Sequence, residues 1–362
     1  MGEVLGLGLT HYPGLFYPDQ FMAHLMLRVL DSPRADPRDR DPVNWPGGMR
    51  LEWGDDKGLT AARNHRDGQV RAFRRIRAAL DEFQPDCVLI FGDDQYENFR
   101  EDIIPPFCVF LSEEMATRPF VQPPPFARGK PEYGIIGNIW DEPADKEFHY
   151  RGHQEAGTWI VNGLVDAGFD IGFAYRGLHR ETLAHAFENT LLYLDYDRKG
   201  FPYPVVPFHV NCYSKRVLPS GKGGGIRYFI DGRGDGDSTV VPPKGPTPKR
   251  CFELGTALRR VIEACPWRIA VMGSSSWSHA TLTEKHRYLY PDIEADQALY
   301  HQLVEGRQAE WGALSLENME GSGQHELRNW ICLAGVVAGK KPRYSEFFPT
   351  YIFNSDKCYA IF

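Results

Sequence analysis

Residues that can bind a metal or transfer protons follow an apolar run near residue 90 of this chain. The run Val88–Phe91 is followed, after one glycine, by Asp93, Asp94 and Gln95. A buried strand reads as a continuous apolar run, and ligands of open α/β sheets bind beyond the carboxyl ends of the strands. Carboxylates at this point are therefore expected to line a binding site.

Histidines and a glutamate take similar positions elsewhere in the chain. His11 follows the apolar run 3–9, His279 follows the run 267–272, and Glu326 begins an apolar helical segment. Imidazole and carboxylate groups bind transition metals, and imidazole also transfers protons near neutral pH. Together these residues predict a metal or acid–base site, although each alone is also typical of an ordinary loop hydrogen bond.

His65 is a further candidate because of the helix that carries it. Apolar residues recur every three or four positions over 60–84, which predicts an amphipathic helix leading into the strand 87–91. Such a helix begins near the carboxyl edge of the sheet, so His65 is expected to reach the same edge as His11. The alternative is a solvated histidine on the polar face of the helix.

The elements that must position these residues alternate between strands and helices. Strands are predicted at 3–9, 87–91, 171–175, 205–211 and 267–272, and helices at 19–30, 60–84, 152–167, 181–194, 251–264 and 321–337. This alternation is typical of an α/β fold. We predict one domain over residues 1–362, with loop insertions near 31–58, 115–150 and 218–249.

Composition excludes several classes of protein. The 362 residues are 42% hydrophobic and 25% charged, with a formal net charge of −7 and no basic patch for nucleic acid. Apolar runs are too short for a membrane span, and no leader segment is recognisable, so a cytoplasmic protein is expected. The seven cysteines never form a C-x-x-C pair, which argues against a zinc or disulfide framework.

The segment His11-Tyr-Pro13-Gly-Leu15 resembles the His-x-Pro-x-Leu opening of class III extradiol ring-cleaving dioxygenases. This is the family of the catalytic subunit of protocatechuate 4,5-dioxygenase. Further segments resemble the family in the same order along the chain: 88–99, 104–107, 185–192, 207–213, 273–282 and 323–330.

The resemblance implies a single α/β domain with a central mixed sheet flanked by helices, like the catalytic subunit of that family. It also implies non-haem Fe(II) held by two histidines and a glutamate, although Mn(II) accepts the same ligands. Carried over by position, His11 is the first ligand and Glu326 the carboxylate ligand. His279 matches the acid–base histidine, and His185 matches a second histidine that contacts the substrate.

The second ligand is where this chain departs from the family. The family's second histidine falls on Gln95, a neutral side chain whose amide oxygen is a poor ligand for Fe(II). Three outcomes are open: His65 supplies the missing imidazole, Gln95 or an adjacent aspartate ligates directly, or the metal and its activity are lost. We favour His65 on the sequence alone.

Polar and aromatic residues beside these segments are candidates for binding the substrate. Aromatic walls would sandwich a ring, and an arginine would pair with a substrate carboxylate. For each candidate, core packing or an ion pair is the alternative. The candidates are Tyr12, Tyr96, His209, Trp277 and Arg328.

The sequence thus predicts a ring-opening dioxygenase of aromatic catabolism that takes a small aromatic diol and O₂. The insertions would cap the pocket or build a homo-oligomer, most simply a dimer. One alternative is a metal-dependent hydrolase, or another oxygenase, on the same scaffold. The other is a Memo-like binding protein that keeps the fold without ring cleavage.

Overall fold

The computed structural model describes residues 2–33, 35–95, 97–100, 102–121, 136–177, 179–180, 182–213 and 243–362. The strands are β1 (Glu3–Leu9), β2 (Cys87–Gly92), β3 (Phe107–Phe110), β4 (Glu114–Thr117), β5 (Phe148–Arg151), β6 (Gly172–Ala174), β7 (Val205–Val210), β8 (Arg268–Ser274), β9 (Tyr344–Phe348) and β10 (Lys357–Ile361). The helices are α1 (His24–Asp31), α2 (Gly47–Trp53), α3 (Leu59–Phe83), α4 (Gln154–Asp166), α5 (His185–Leu194), α6 (Pro248–Glu263), α7 (Ile293–Glu305), α8 (Leu316–Gly321) and α9 (Leu327–Val336).

The central sheet has the strand order β6-β3-β7-β2-β8-β1-β10-β9, and β4 pairs with β5 in a separate sheet. Strands β1, β8, β2 and β7 run parallel to one another. Strands β3 and β10 are antiparallel to their inner neighbours, so the sheet is mixed, as expected. The four parallel strands end at the same edge, where the candidate residues are placed.

Helices cover both faces of this sheet, which confirms the α/β class. On one face, α3 buries Phe73 and Ile76 beside Leu191 of α5. On the other face, α6 and α9 bury Leu254 and Ile331 against the sheet. Helix α3 forms because apolar residues recur on one side of it, and it ends where Gln84 adopts a left-handed conformation.

The segments predicted as insertions contain more structure than the sequence suggested. Residues 31–58 include α2, and Trp45 and Met49 there are buried in the core. The 115–150 segment holds β4 and β5 at its two ends. Most of 218–249 lies outside the described residues, but α6 begins inside that range, at Pro248. Strands β3, β9 and β10 and helix α7 were not predicted.

All seven cysteines are buried free thiols, in agreement with the absence of a disulfide framework. Among the residues that the structure describes, no helix has both the length and the apolar character needed to cross a membrane.

Candidate metal centre and acid–base site

Side chains from separate segments converge at the edge where the parallel strands end. His11 follows β1 by two residues, Asp93 directly follows β2, and Tyr213 lies three residues after β7. Glu326 caps the start of α9, and His185 is the first residue of α5. The sheet therefore brings together residues that are far apart in sequence, as expected from the placement of ligand sites in α/β folds.

His11 is buried and held at both its backbone and its ring. Its Nδ1 lies 3.1 Å from the Ser274 carbonyl oxygen, and the Asn189 amide donates to the His11 carbonyl at 3.1 Å. A carbonyl only accepts, so Nδ1 carries the hydrogen and Nε2 keeps a free lone pair. Burial, with the nearby charge of His185, lowers the pKa of His11 well below its usual value. The ring is thus a neutral donor, the form that binds metals.

Glu326 faces the His11 ring from the start of α9. Its Oε2 lies 3.5 Å from His11 Nε2, and this buried oxygen accepts no hydrogen bond. Its Oε1 accepts hydrogen bonds from Tyr213 and, at 3.2 Å, from Gln95. Burial raises the pKa of Glu326 to about 7. One carboxylate oxygen is held by the protein, and the other is left without a partner.

Asp93 supplies a second carboxylate to the same place. Its Oδ1 lies 3.6 Å from His11 Nε2, and its Oδ2 lies 3.1 Å from the Tyr213 hydroxyl oxygen. Burial, reinforced by the charge of Glu326, raises the pKa of Asp93 to about 7. Two ionised carboxylates that are buried side by side repel each other. A cation between them offsets this repulsion because it attracts both.

Gln95 occupies this cluster with its amide nitrogen turned inward. That nitrogen lies 2.5 Å from the Tyr213 hydroxyl and within donor distance of Glu326. A carboxylate only accepts hydrogen bonds, so the atom facing Glu326 is the NH₂ group. An amide nitrogen does not ligate metals in this form. In this arrangement Gln95 donates a hydrogen bond to Glu326.

His185 is fixed by an ion pair at the start of α5. Its Nδ1 lies 2.7 Å from Glu97 Oε2, and its backbone N–H also donates to Glu97, at 3.0 Å. Burial opposes protonation, but the charge of Glu97 outweighs it and raises the pKa of His185 to about 10. Arg180 pairs with Glu97 from the far side. The His185 ring meets the His11 ring edge to face at 5.0 Å.

His279 lies on the other side of Glu326. Its Nδ1 is 2.9 Å from the Trp277 carbonyl oxygen, so Nδ1 carries the hydrogen. Its Nε2, 3.5 Å from Glu326 Oε1, keeps the lone pair. Burial lowers the pKa of His279 to about 4. The ring is neutral near pH 7 and can accept a proton through Nε2.

The structure does not bring His65 into this cluster. Its ring packs against Phe353 with centroids 5.0 Å apart and meets the Phe348 ring at 6.2 Å. The ligand atoms that lie within 4.8 Å of one another belong to His11, Asp93 and His185. His65 is buried rather than solvated, so both sequence-based interpretations differ from the structure. The helix buries this side chain in the aromatic core instead of directing it to the edge.

Trp277 and Arg328 also differ from their predicted roles. Trp277 is fully buried among aromatic rings, with Trp330 at 5.4 Å and Trp311 at 5.7 Å. Arg328 is fully buried as well, and it donates to three backbone carbonyls and to Glu320 at 2.9 Å. Both side chains are committed to the core, so neither offers an accessible surface to a substrate.

Two further substrate candidates, Tyr12 and His209, make contacts inside the protein. Tyr12 is buried, and its hydroxyl donates to the Met22 carbonyl at 3.2 Å. His209 lies in β7 with its ring 4.6 Å from that of Phe99, and burial lowers its pKa to about 3. These contacts are internal to the protein. Tyr96 lies outside the described residues.

Two residues of the cluster, Tyr213 and Glu97, were not singled out from the sequence. Both lie within segments that resemble the family, 207–213 and 88–99. Tyr213 follows a predicted buried strand, the same signal that identified His11. Glu97 gave no such signal, because its role depends on a helix start that approaches it from elsewhere in the fold.

The donor set of this cluster fits a divalent metal ion. The imidazoles of His11 and His185 converge with the carboxylates of Asp93 and Glu326, and a metal bound at His185 Nε2 would displace the proton that the raised pKa of this ring places there. The unpartnered buried Glu326 Oε2 is an acceptor that a cation would satisfy. A hydrogen bond from each imidazole Nδ1 fixes the ring and leaves Nε2 for the metal, as in most protein metal sites. Nitrogen and oxygen donors without thiolate suit Fe(II) or Mn(II) better than soft metals.

A family model matches one part of this sequence. Residues 238–356 match the family described as the catalytic LigB subunit of aromatic ring-opening dioxygenase. The matched segment includes His279, Glu326 and the strand β8.

Three curated proteins are similar in sequence to larger parts of this chain. Three proteins named 2,3-dihydroxyphenylpropionate/2,3-dihydroxicinnamic acid 1,2-dioxygenase are 22–25% identical to it, from Pseudomonas putida, Paraburkholderia xenovorans and Azotobacter vinelandii. The Pseudomonas match covers 59% of this chain and 49% of that protein. The Paraburkholderia match covers 76% and 82%, and the Azotobacter match 73% and 81%. The chain thus spans about half the length of the first relative and four fifths of the other two.

Proposed function

Because this chain is a relative of the class III extradiol ring-cleaving dioxygenases, we propose that it opens the ring of a catechol-like substrate with O₂. The observation that carries the proposal is the convergence of His11, Asp93 and Glu326 at the sheet edge, with His279 beside them. The family uses a metal cofactor, and we propose Fe(II) in this chain. An open metal site would bind the two adjacent oxygens of a catechol and bring O₂ beside them.

The residues around the metal would do the following. His11 would bind it through Nε2 and Glu326 through Oε2, which has no hydrogen-bond partner, and Asp93 would join them through Oδ1, which lies 3.6 Å from His11 Nε2. His279 would take the proton from a phenolic hydroxyl, because Nδ1 is fixed on the Trp277 carbonyl and Nε2 is free. The resemblance to the family implies that His185 is a second histidine near the substrate, and its ring centroid lies 5.0 Å from that of His11. Catechol, as a neutral diol, loses its proton to a neutral imidazole most readily when its oxygens lie next to a cation.

The names of the relatives and the contacts of Arg328 both bear on the substrate that we propose. The relatives are named for 2,3-dihydroxyphenylpropionate and dihydroxycinnamic acid, which are catechols with a carboxylate side chain. The arginine predicted to bind such a carboxylate, Arg328, is fully buried and occupied. We therefore expect the diol to be recognised by the metal, whereas Arg328 makes no contact with the side chain.

The test is reconstitution of the metal-free protein with Fe(II) under anaerobic conditions, followed by a catechol and O₂. We expect O₂ uptake and a yellow ring-opened product with at least one of 2,3-dihydroxyphenylpropionate, protocatechuate, gallate or their methyl ethers. His11→Ala and Glu326→Gln should abolish both signals, and Mn(II) should be compared as an alternative metal. A protein that binds iron but neither consumes O₂ nor forms product with any of them would contradict the proposal.

One observation favours a second candidate function. The family histidine at position 95 is replaced by Gln95, which donates to Glu326 instead of ligating. A metal-binding protein without ring cleavage, similar to Memo, would tolerate this change. In the reconstitution experiment such a protein would bind a stoichiometric metal without O₂ uptake, and Gln95→His would leave O₂ uptake at zero.

A further inference from the structure

The contacts of His185 with Glu97 make this histidine a candidate for the second imidazole ligand. His185 Nδ1 and its backbone N–H are both bound by Glu97, at 2.7 and 3.0 Å. Glu97 is in turn paired with Arg180, which donates to it and, at 3.2 Å, to Glu188. A carboxylate that holds Nδ1 fixes the ring and makes Nε2 a stronger donor, the arrangement found behind most metal-binding histidines.

The second ring nitrogen of His185, Nε2, lies beside the cluster. Since Nδ1 is taken by Glu97, Nε2 is the atom that lies near the His11 ring, whose centroid is 5.0 Å from that of His185. His185, His11 and Asp93 each place one ligand atom within 4.8 Å of those of the other two. Gln95 fills the space beside this nitrogen at 3.4 Å, through its amide NH₂ group.

The alternatives for the second imidazole are less well placed. His65 packs among Phe348 and Phe353 and does not join the group of ligand atoms. Gln95 turns a nitrogen, not an oxygen, toward the carboxylate of Glu326. His279 also has an occupied Nδ1 and an Nε2 that lies 3.5 Å from Glu326. Among the described residues, however, His185 is the histidine that shares with His11 and Asp93 the group of ligand atoms lying within 4.8 Å of one another.

We propose that His185 is the second imidazole ligand of the metal in this chain, in place of the histidine that Gln95 replaces. This rests on the proposed metal centre and deepens it. The centre again contains two histidines, His11 and His185, with carboxylate from Asp93 and Glu326. The second histidine comes from the start of α5 rather than from the segment after β2, so His185 positions the metal instead of exchanging protons with the substrate.

The test counts coordinated imidazoles in the full-length protein. Metal is removed by chelation and Cu(II) is added as the probe, because pulsed EPR of Cu(II) detects the remote nitrogen of each bound imidazole. We expect two imidazoles in the wild type, one in His185→Ala and in His185→Gln, and two in His65→Leu. Fe(II) titration under anaerobic conditions should show at least a tenfold loss of affinity in the His185 variants only.

A rescue variant separates a lost ligand from a disturbed fold. The double variant Gln95→His/His185→Ala places an imidazole at the family position and should return the count to two, with circular dichroism unchanged. A wild-type count of one, unchanged by His185→Ala, would overturn the proposal while leaving the metal site intact. A loss of one imidazole in His65→Leu but not in His185→Ala would also overturn it. Failure of the wild type to bind any metal would reject the metal centre itself.

Discussion

Two helices, α3 and α5, each carry a histidine in their N-terminal part, yet only one of these histidines lies in the cluster. At α5, His185 has an ionised carboxylate, Glu97, behind it and faces the acids Asp93 and Glu326. At α3, His65 lies between the rings of Phe353 and Phe348, near the cation of Lys357. The two helices therefore differ in what surrounds their histidines.

This difference shows what turns a histidine into a ligand. A partner for Nδ1 fixes the ring and its tautomer, and negative charge ahead of Nε2 favours a cation there. His185 has both features. Burial lowers the pKa of His65, and its Nε2 has no hydrogen-bond partner, so it behaves as a flat apolar ring in an aromatic core.

The largest effect is expected from Glu326→Gln. The change removes the charge of the carboxylate whose Oε2 faces His11 Nε2 at 3.5 Å, while keeping the side chain's size. Fe(II) affinity should fall by more than the roughly 10–100-fold typical for loss of a ligand's hydrogen-bonding partner. Anaerobic calorimetric titration measures this, and an unchanged affinity would exclude Glu326 as a ligand.

A smaller effect is expected from Glu97→Gln, which acts through His185. The neutral amide is a weaker acceptor for Nδ1–H, so the ring loses its anchor and Fe(II) affinity should fall by about 10–100-fold. Glu188→Gln is the matched control, because Glu188 pairs with the same Arg180. Equal losses in the two variants would show that Arg180 matters more than the contact with His185.

Tyr213→Phe should affect stability in a way that depends on the metal. The hydroxyl contacts Asp93, Glu326 and Gln95, so its removal leaves the buried oxygen Asp93 Oδ2 without a polar contact, whereas Glu326 Oε1 keeps the Gln95 amide. We expect the unfolding free energy of the metal-free protein to fall by about 1–3 kcal/mol. With Mn(II) bound the loss should be smaller, because the cation replaces the missing donor.

Urea unfolding with and without Mn(II) tests this dependence. The control is Tyr359→Phe, whose hydroxyl donates to Gln69 of α3 at 3.1 Å, in the region of His65. Its loss should be the same in both conditions. A metal-independent loss in Tyr213→Phe as well would mean that Tyr213 supports the fold only.

The smallest effect is expected from His65→Leu. Leucine is similar in volume and removes no hydrogen bond at Nε2, so the unfolding free energy should change by less than about 1 kcal/mol. Fe(II) affinity should not change. A tenfold loss of affinity would show that α3 moves to bring His65 to the metal, and the contrast between the two helices would disappear.

Much of the fold was predictable because its signals are local. The apolar runs at β1, β2, β7 and β8 and the periodic stripe of α3 lie within single segments. Strands β9 and β10 were missed, because they are defined by pairing with each other and with β1 rather than by their own pattern. Trp277 and Arg328 were expected at the substrate for their chemistry, but burial decides whether that chemistry is accessible.

The sequence by itself determined which residues stand at the ends of the parallel strands, and so placed His11, Asp93 and His279 at one edge. This follows from chain order, since a residue after a buried strand must emerge where the strand ends. The tertiary structure alone decided which way the helix-borne histidines face. That choice depends on neighbours from distant segments: Glu97 holds His185 toward the acids, and aromatic rings from the end of the chain enclose His65.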